Sequence, residues 1–177
     1  LARLATREVE LHELDERIRE RATRDDIRLA VRNLSAFRGV GTLTAVNVVA
    51  EIGDARRFAN KAAVAAYVGL VPSERSSGSK VRRGSITRAG SRHLRRLLVE
   101  VAQHYRSRAT ESKALTARRM AASATTREQA RLAEKRLVKR YRRLSMTKHT
   151  NVAKTAIARE LIGHLWAAMH PEIGLAR

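Results

Sequence analysis

Proline occurs only twice in the 177 residues, at Pro72 and Pro171. Inside a helix, proline removes a backbone donor and clashes with the preceding turn. Its scarcity leaves nearly the whole chain free to be helical, and apolar residues recur at helical spacing through most of it. Near the start Leu4, Leu11 and Ile18 fall seven residues apart, with Leu14 on the same side and charged residues between. This pattern suits either a short coiled-coil arm over residues 1–24 or a helix packed on its own domain. Leu1 already lies within the pattern, so the chain reads as part of a longer protein.

Further helices follow. Asp25 or Asp26 is placed to cap a helix carrying Ile27, Leu29, Ala30 and Leu34. The run Phe37-Arg38-Gly39-Val40-Gly41 precedes an apolar helix from Leu43 to Ile52, which Gly53 is placed to end. A short helix fits Lys61 to Tyr67. Residues 73–91, rich in Ser, Gly, Arg and Lys, read as a loop with a short strand or hairpin near Ser79–Ile86. Ser91 then caps a helix whose Leu94, Leu97, Leu98, Val101 and Tyr105 share one face, leaving Arg92, Arg95 and Arg96 on the other. The Ser/Thr/Ala-rich stretch 107–126 reads as a mobile connection with partial helix, and Thr125 with Glu128 as a capping box. A basic helix follows to Leu144, and a last helix spans roughly residues 152–169. The predicted fold is mainly all-α, divided into the arm (1–24), a domain with the glycine turn and the basic loop (25–106), and a connection with basic C-terminal helices (107–177).

Charge narrows the function. The chain holds 37 Lys+Arg against 17 Asp+Glu, a formal net charge of +20. A small domain needs a net charge of only roughly 2–8 for solubility, so a polyanionic partner is implied and nucleic acid comes first. No stretch approaches the roughly 18 apolar residues of a spanning helix, and no leader resembles a signal peptide. Cysteine is absent, which excludes disulfides, thiolate metal sites and a cysteine nucleophile. Cytoplasmic location fits.

Three features carry chemistry. Gly39-Val40-Gly41 between two helices resembles the turn of a helix-hairpin-helix module, where amides at the next helix start, here Thr42, can meet a phosphate. Arg38 stands where such turns usually hold proline and can itself meet a phosphate; the alternative is a compact turn with no ligand. The run from Arg75 to Arg96 holds Arg75, Lys80, Arg82, Arg83, Arg88, Arg92, Arg95 and Arg96 with no acid. A solvated face is the bland reading, but the lack of interspersed acids argues against a salt-bridged surface. The helix 127–144 adds a second basic face. The aromatics number one Trp, three Tyr and two Phe, and none lies in the basic loop, which weighs against a base-stacking single-strand binder. Third, Ser76-Ser77-Gly78-Ser79 sits within the basic loop. Alone it is an ordinary turn; among arginines a serine hydroxyl can attack a phosphodiester. Glu74 is the only acid near it in sequence. The six histidines show no ligand spacing, so no metal site is expected here.

These pieces, in order, resemble the C-terminal domain of the "one-ten" insertion-sequence transposases, the bridge-RNA-guided recombinases of bacteria. The resembling runs are F-R-G-V-G at 37–41, A-E-I-G-D at 50–54, A-A-Y-V-G-L-V-P at 65–72, S-S-G-S-K-V-R-R-G at 76–84, I-T-R-A-G-S at 86–91 and L-R-R-L-L at 94–98. The resemblance implies that Ser77, just before Gly78, is a nucleophile forming a phosphoserine link to DNA. It further implies a separate N-terminal RuvC-like domain of the DEDD type that binds Mg2+, a structured guide RNA, and a dimer or tetramer built through the coiled coil. The chain by itself would then bind nucleic acid without completing strand exchange. The alternative is a non-catalytic helix-hairpin-helix nucleic-acid-binding module; a third reading is a structural RNA-binding protein.

Overall fold

The computed structural model describes the backbone of residues 2–77, 80–107 and 110–169, with side chains for all of these except residues 2 and 75–83. The fold is mainly all-α, as the sequence predicts. Helices α1 (Ala2–Ala22), α2 (Asp25–Ser35), α3 (Thr42–Ile52) and α4 (Lys61–Tyr67) precede a two-stranded antiparallel ribbon, β1 (Pro72–Ser77) and β2 (Lys80–Ile86). Helices α5 (Arg92–Ala102), α6 (Lys113–Ala121), α7 (Ala124–Ser145) and α8 (Thr150–Met169) follow.

The organising element is α8. Ala153, Ile157, Ala158, Leu161, Ile162, Leu165, Trp166, Ala168 and Met169 are all buried, so the helix is apolar around most of its circumference. Such a helix must be enclosed, and α2, α4, α5 and α7 pack around it. Two polar ties fix the arrangement. Trp166 Nε1 donates to the Ala55 carbonyl at 2.7 Å, and the buried Asn33 Nδ2 donates to the Ala168 carbonyl at 3.1 Å. One hydrophobic core runs from Ala22 to Met169 and joins residues on both sides of the Ser/Thr/Ala-rich stretch.

That stretch is more ordered than its composition predicts. Ser112 caps α6 by accepting from the Leu115 amide, and Leu115 and Arg119 are buried. The next cap is Ser123, which accepts from the Thr126 amide; α7 already runs by Thr125, so the expected Thr125–Glu128 box does not form. Similarly Arg24, not an aspartate, precedes α2, and Asp26 turns back to Arg21 at 2.8 and 2.9 Å. Helix α3 ends at Gly53 (φ +61°) as predicted. Along α1, Leu4, Leu11 and Leu14 are exposed, while Ala22 reaches the core. No helix among the described residues is long and apolar enough to cross a membrane.

Candidate nucleic-acid interface

The ribbon that carries the serine stands on a closely locked base. Gly69 (φ +74°) and Gly90 (φ +75°) let two chain segments cross in contact: a Cβ on Gly69 would lie 2.0 Å from the Ala89 carbonyl oxygen, and one on Gly90 1.9 Å from that of Tyr67. No other residue fits either position. Arg95 closes the crossing. Its Nη1 donates to the carbonyls of Val68 (3.0 Å), Ala89 (2.7 Å) and Gly90 (3.2 Å). Ser91 caps α5 by accepting from the Leu94 amide and donates to Glu51 Oε1 at 2.8 Å, which ties the base to α3.

Above the base the backbone register sets the serine among cationic positions. Ser77 pairs with Lys80, and Arg75 with Arg82. Directly opposed and alternate residues occupy one face of an antiparallel ribbon. Ser77, Lys80, Arg75 and Arg82 therefore hold register positions on one face, whereas Glu74 and Arg83, also opposed, hold the other. Ser77 is the last residue of β1. Gly78 and Ser79, which complete the turn, lie outside the described residues.

The remaining predicted cations divide. Arg88, at φ +57°, and Arg92 are exposed beside the ribbon base. Arg96 is exposed but its Nε donates to Glu100 at 2.9 Å. Arg95 is committed to the loop crossing, so its role is to hold the ribbon, and the expectation that it faces a ligand does not fit this placement.

The glycine turn is also partly inward. Gly39 (φ +80°) lies against His104 and Val101; a Cβ there would come within 2.5 Å of His104 Cδ2. Val40 is fully buried, and its carbonyl accepts from Arg118 Nη1 at 2.5 Å. Arg38 is drawn into an ion pair with Glu134 at 2.7 Å and is only 11% exposed. Phosphate contact through the Arg38 side chain does not fit this geometry. What stays open is the start of α3. Gly41 precedes it with no side-chain cap, and Thr42 and Leu43 are exposed. A groove of about 340 Å³ runs there, lined by Thr42 together with Arg32 and Arg118. The sequence reading did not single out Arg32 or Arg118. Arg118 sits on α6, whose Ser112 cap was the available signal. Burial, and then the neighbouring Arg119 charge, push the Arg118 pKa below its ordinary value.

No group of three or more His, Cys, Asp or Glu among the described residues is arranged to hold a metal ion. Two of the acids are engaged in ion pairs. Glu160 takes Arg136 and Arg140, and Glu134 takes Arg38 and Arg119.

Residues 31–117, which span the glycine turn, the ribbon and α5, match the transposase IS116/IS110/IS902 family. The "Putative transposase y4qE" of Sinorhizobium fredii is 44% identical over 135 residues, covering 76% of this chain and 35% of that protein. The "Probable family 20 transposase" of Pseudomonas aeruginosa is 37% identical over 100 residues, 56% of this chain and 29% of that one. The transposase for insertion sequence element IS1111A of Coxiella burnetii is 38% identical over 72 residues, 41% of this chain and 20% of its own. The chain thus spans about a third of the length of the first two relatives.

Proposed function

Because residues 31–117 carry the domain of the IS116/IS110/IS902 transposase family, we propose that this chain is the DNA-binding, serine-bearing part of an insertion-sequence transposase. Ser77 is its nucleophile. The Ser77 Oγ–phosphorus bond forms as a phosphorus–oxygen bond of one DNA strand breaks; the proton the serine hydroxyl loses is balanced by the one the released strand oxygen takes up, and a phosphoserine link results. Arg75, Lys80 and Arg82 hold the phosphate and offset the charge that builds in the transition state. Arg83, Arg88 and Arg92 hold flanking phosphates, and the start of α3 takes duplex backbone. The observation that carries this reading is the register of the ribbon, which sets Ser77 on one face with three cationic positions.

The Mg2+ of such an enzyme belongs to a separate RuvC-like domain. The described residues here offer no donor set for it. A structured guide RNA and a dimer or tetramer joined through α1 complete the proposal; the exposed Leu4, Leu11 and Leu14 support the latter.

The test is Ser77→Ala in a transposase that contains this chain, with Ser76→Ala and Ser79→Ala beside it. The Ser77 variant is expected to bind DNA normally and trap no covalent adduct, while the other two retain it. An undiminished adduct with Ser77→Ala would exclude the assignment. A second reading, a non-catalytic helix-hairpin-helix module, is favoured by one feature, the open α3 start beside Arg32 and Arg118. Under that reading no variant of the three serines changes anything, and Gly41→Val weakens binding.

A further inference from the structure

A second groove, larger than that at the α3 start, shares no lining residue with it or with the ribbon. It is an open trough of about 720 Å³ along α7, floored by Arg119 and Glu134 and rimmed by Arg131, Lys135, Lys139 and Arg142. Floor and rim differ in charge. On the floor Arg119 is 3% exposed and bonds Glu111 and Glu134, both at 2.6 Å; Glu134 also receives Arg38. Two cations meet two carboxylates there, so the floor is neutral and fixed. The four rim residues are exposed, and none has a partner among the described residues.

Their spacing is regular. At about 100° per residue the four fall within about 80° of one another around the α7 axis. At about 1.5 Å rise, Arg131 and Arg142 stand about 16 Å apart along it. A nucleic-acid strand carries one charge per about 3.4 Å of helix axis, so that length faces about five phosphates. Two other arginines of the helix turn away from this stripe: Arg136 and Arg140 pair with Glu160 on α8. The four trough cations thus share one side of α7, and the Arg136 and Arg140 pairs with Glu160 lie on another. Aromatic residues, which would stack bases, do not line the trough, so contact is with backbone and not with base edges.

We infer that this α7 trough is a second phosphodiester-binding site, which takes a nucleic-acid backbone separate from the one met by the ribbon. It rests on the nucleic-acid reading above but uses different side chains, so the two are separable.

The experiment measures the salt dependence of binding by the 177-residue chain. The probes are a 30-base-pair DNA duplex, the RNA duplex of the same sequence, and polyglutamate. One variant carries R131Q, K135Q, K139Q and R142Q; a milder one carries K135Q and K139Q; a third carries R82Q and R83Q on the ribbon. The fourfold variant is expected to flatten the log–log salt slope by about three to four on one or both duplexes, and the milder one by about half that. A change on DNA alone or RNA alone identifies which backbone occupies the trough. Because all four positions are exposed, the urea midpoint stays put; if the fourfold variant unfolds, the milder pair decides. Unchanged slopes for the trough variants with a flatter slope for the ribbon variant overturn the inference and leave the proposed function standing. The reverse keeps the trough and removes the ribbon. No change in any variant removes both. Loss of polyglutamate binding alone, with duplex binding intact, also overturns it in favour of an acidic protein partner.

Discussion

The guanidinium of Arg119 and the carboxylate of Glu134 lie 2.6 Å apart at the junction of α6 and α7, with Arg119 only 3% exposed. Arg119 also donates to Glu111 and to the Ala36 carbonyl, and Arg38 comes to Glu134 from the glycine turn. One ion network therefore holds the turn, α6 and α7 together.

Removing its centre leaves Glu111 without this partner and Glu134 with Arg38 alone. Arg119→Ala is expected to cost about 3–5 kcal/mol, as breaking a buried pair does, measured by urea denaturation. Arg119→Ala combined with Glu134→Ala should recover part of that loss. A double variant as unstable as the sum of the two singles would show that the pair does not couple.

The same network predicts behaviour in acid. Burial would push the Glu134 carboxyl up, but hydrogen bonds from Arg119 and Arg38 and their charges outweigh it and hold the group below its ordinary value. A depressed carboxyl contributes stability above its unfolded pKa of about 4.3 and loses it as pH falls through the lower folded value. Wild type should therefore lose stability below about pH 4 more steeply than Glu134→Gln. Equal slopes would place no shifted carboxylate here.

How much of this was legible beforehand depends on whether the signal was local. The α3 stop at Gly53, the Ser91 cap and the apolar face of α5 are set by neighbours in sequence, and each was read correctly. Arg38 and Arg95 were not. Arg38 stands in a glycine turn and Arg95 in a basic run, and their partners Glu134 and Val68 are 96 and 27 residues away. Composition likewise misjudged residues 107–126, because serine and threonine signal helix caps as readily as loops. Arg118 and Arg119 illustrate the limit. They are adjacent and identical, yet one faces Val40 and the α3 start and the other is buried in the α7 floor. Only the packing of α6 decides between them.

The glycine turn separates fold from contact. Gly39 holds a positive φ and has His104 within 2.5 Å of any added Cβ, whereas Gly41 has φ −89° and meets only Arg118, at 4.0 Å. Gly39→Ala should destabilise the chain by about 1–3 kcal/mol through backbone strain and crowding. Gly41→Ala should leave the urea midpoint unchanged. A stable Gly39→Ala would mean that the turn does not require this conformation.

Arg92 and Arg95 test whether neighbouring arginines on α5 do different work. Arg92 is exposed, and Arg95 spans three carbonyls under the ribbon. Arg92→Gln should keep full stability and flatten the salt slope of DNA binding by about one. Arg95→Gln should lower the urea midpoint and slow any ribbon-dependent reaction. Reversal of the two results would place the ligand over Arg95.

The arm carries the last prediction. Leu4, Leu11 and Leu14 are 67%, 62% and 49% exposed on one side of α1, with no neighbour in the fold to cover them. The proposed pairing of two copies along this stripe would bury leucine side chains now open to water, each worth up to about 1.5–3 kcal/mol. Among the described α1 residues Ala22 alone is buried in the core, and the three leucines lie outside it. Sedimentation of L4Q/L11Q/L14Q should therefore give a smaller species than wild type at the same concentration, with the helical core melting at the same temperature. If both chains sediment as monomers, α1 serves no self-association. If the variant melts lower, the stripe packs on its own chain, and the helix belongs to the domain rather than to an assembly.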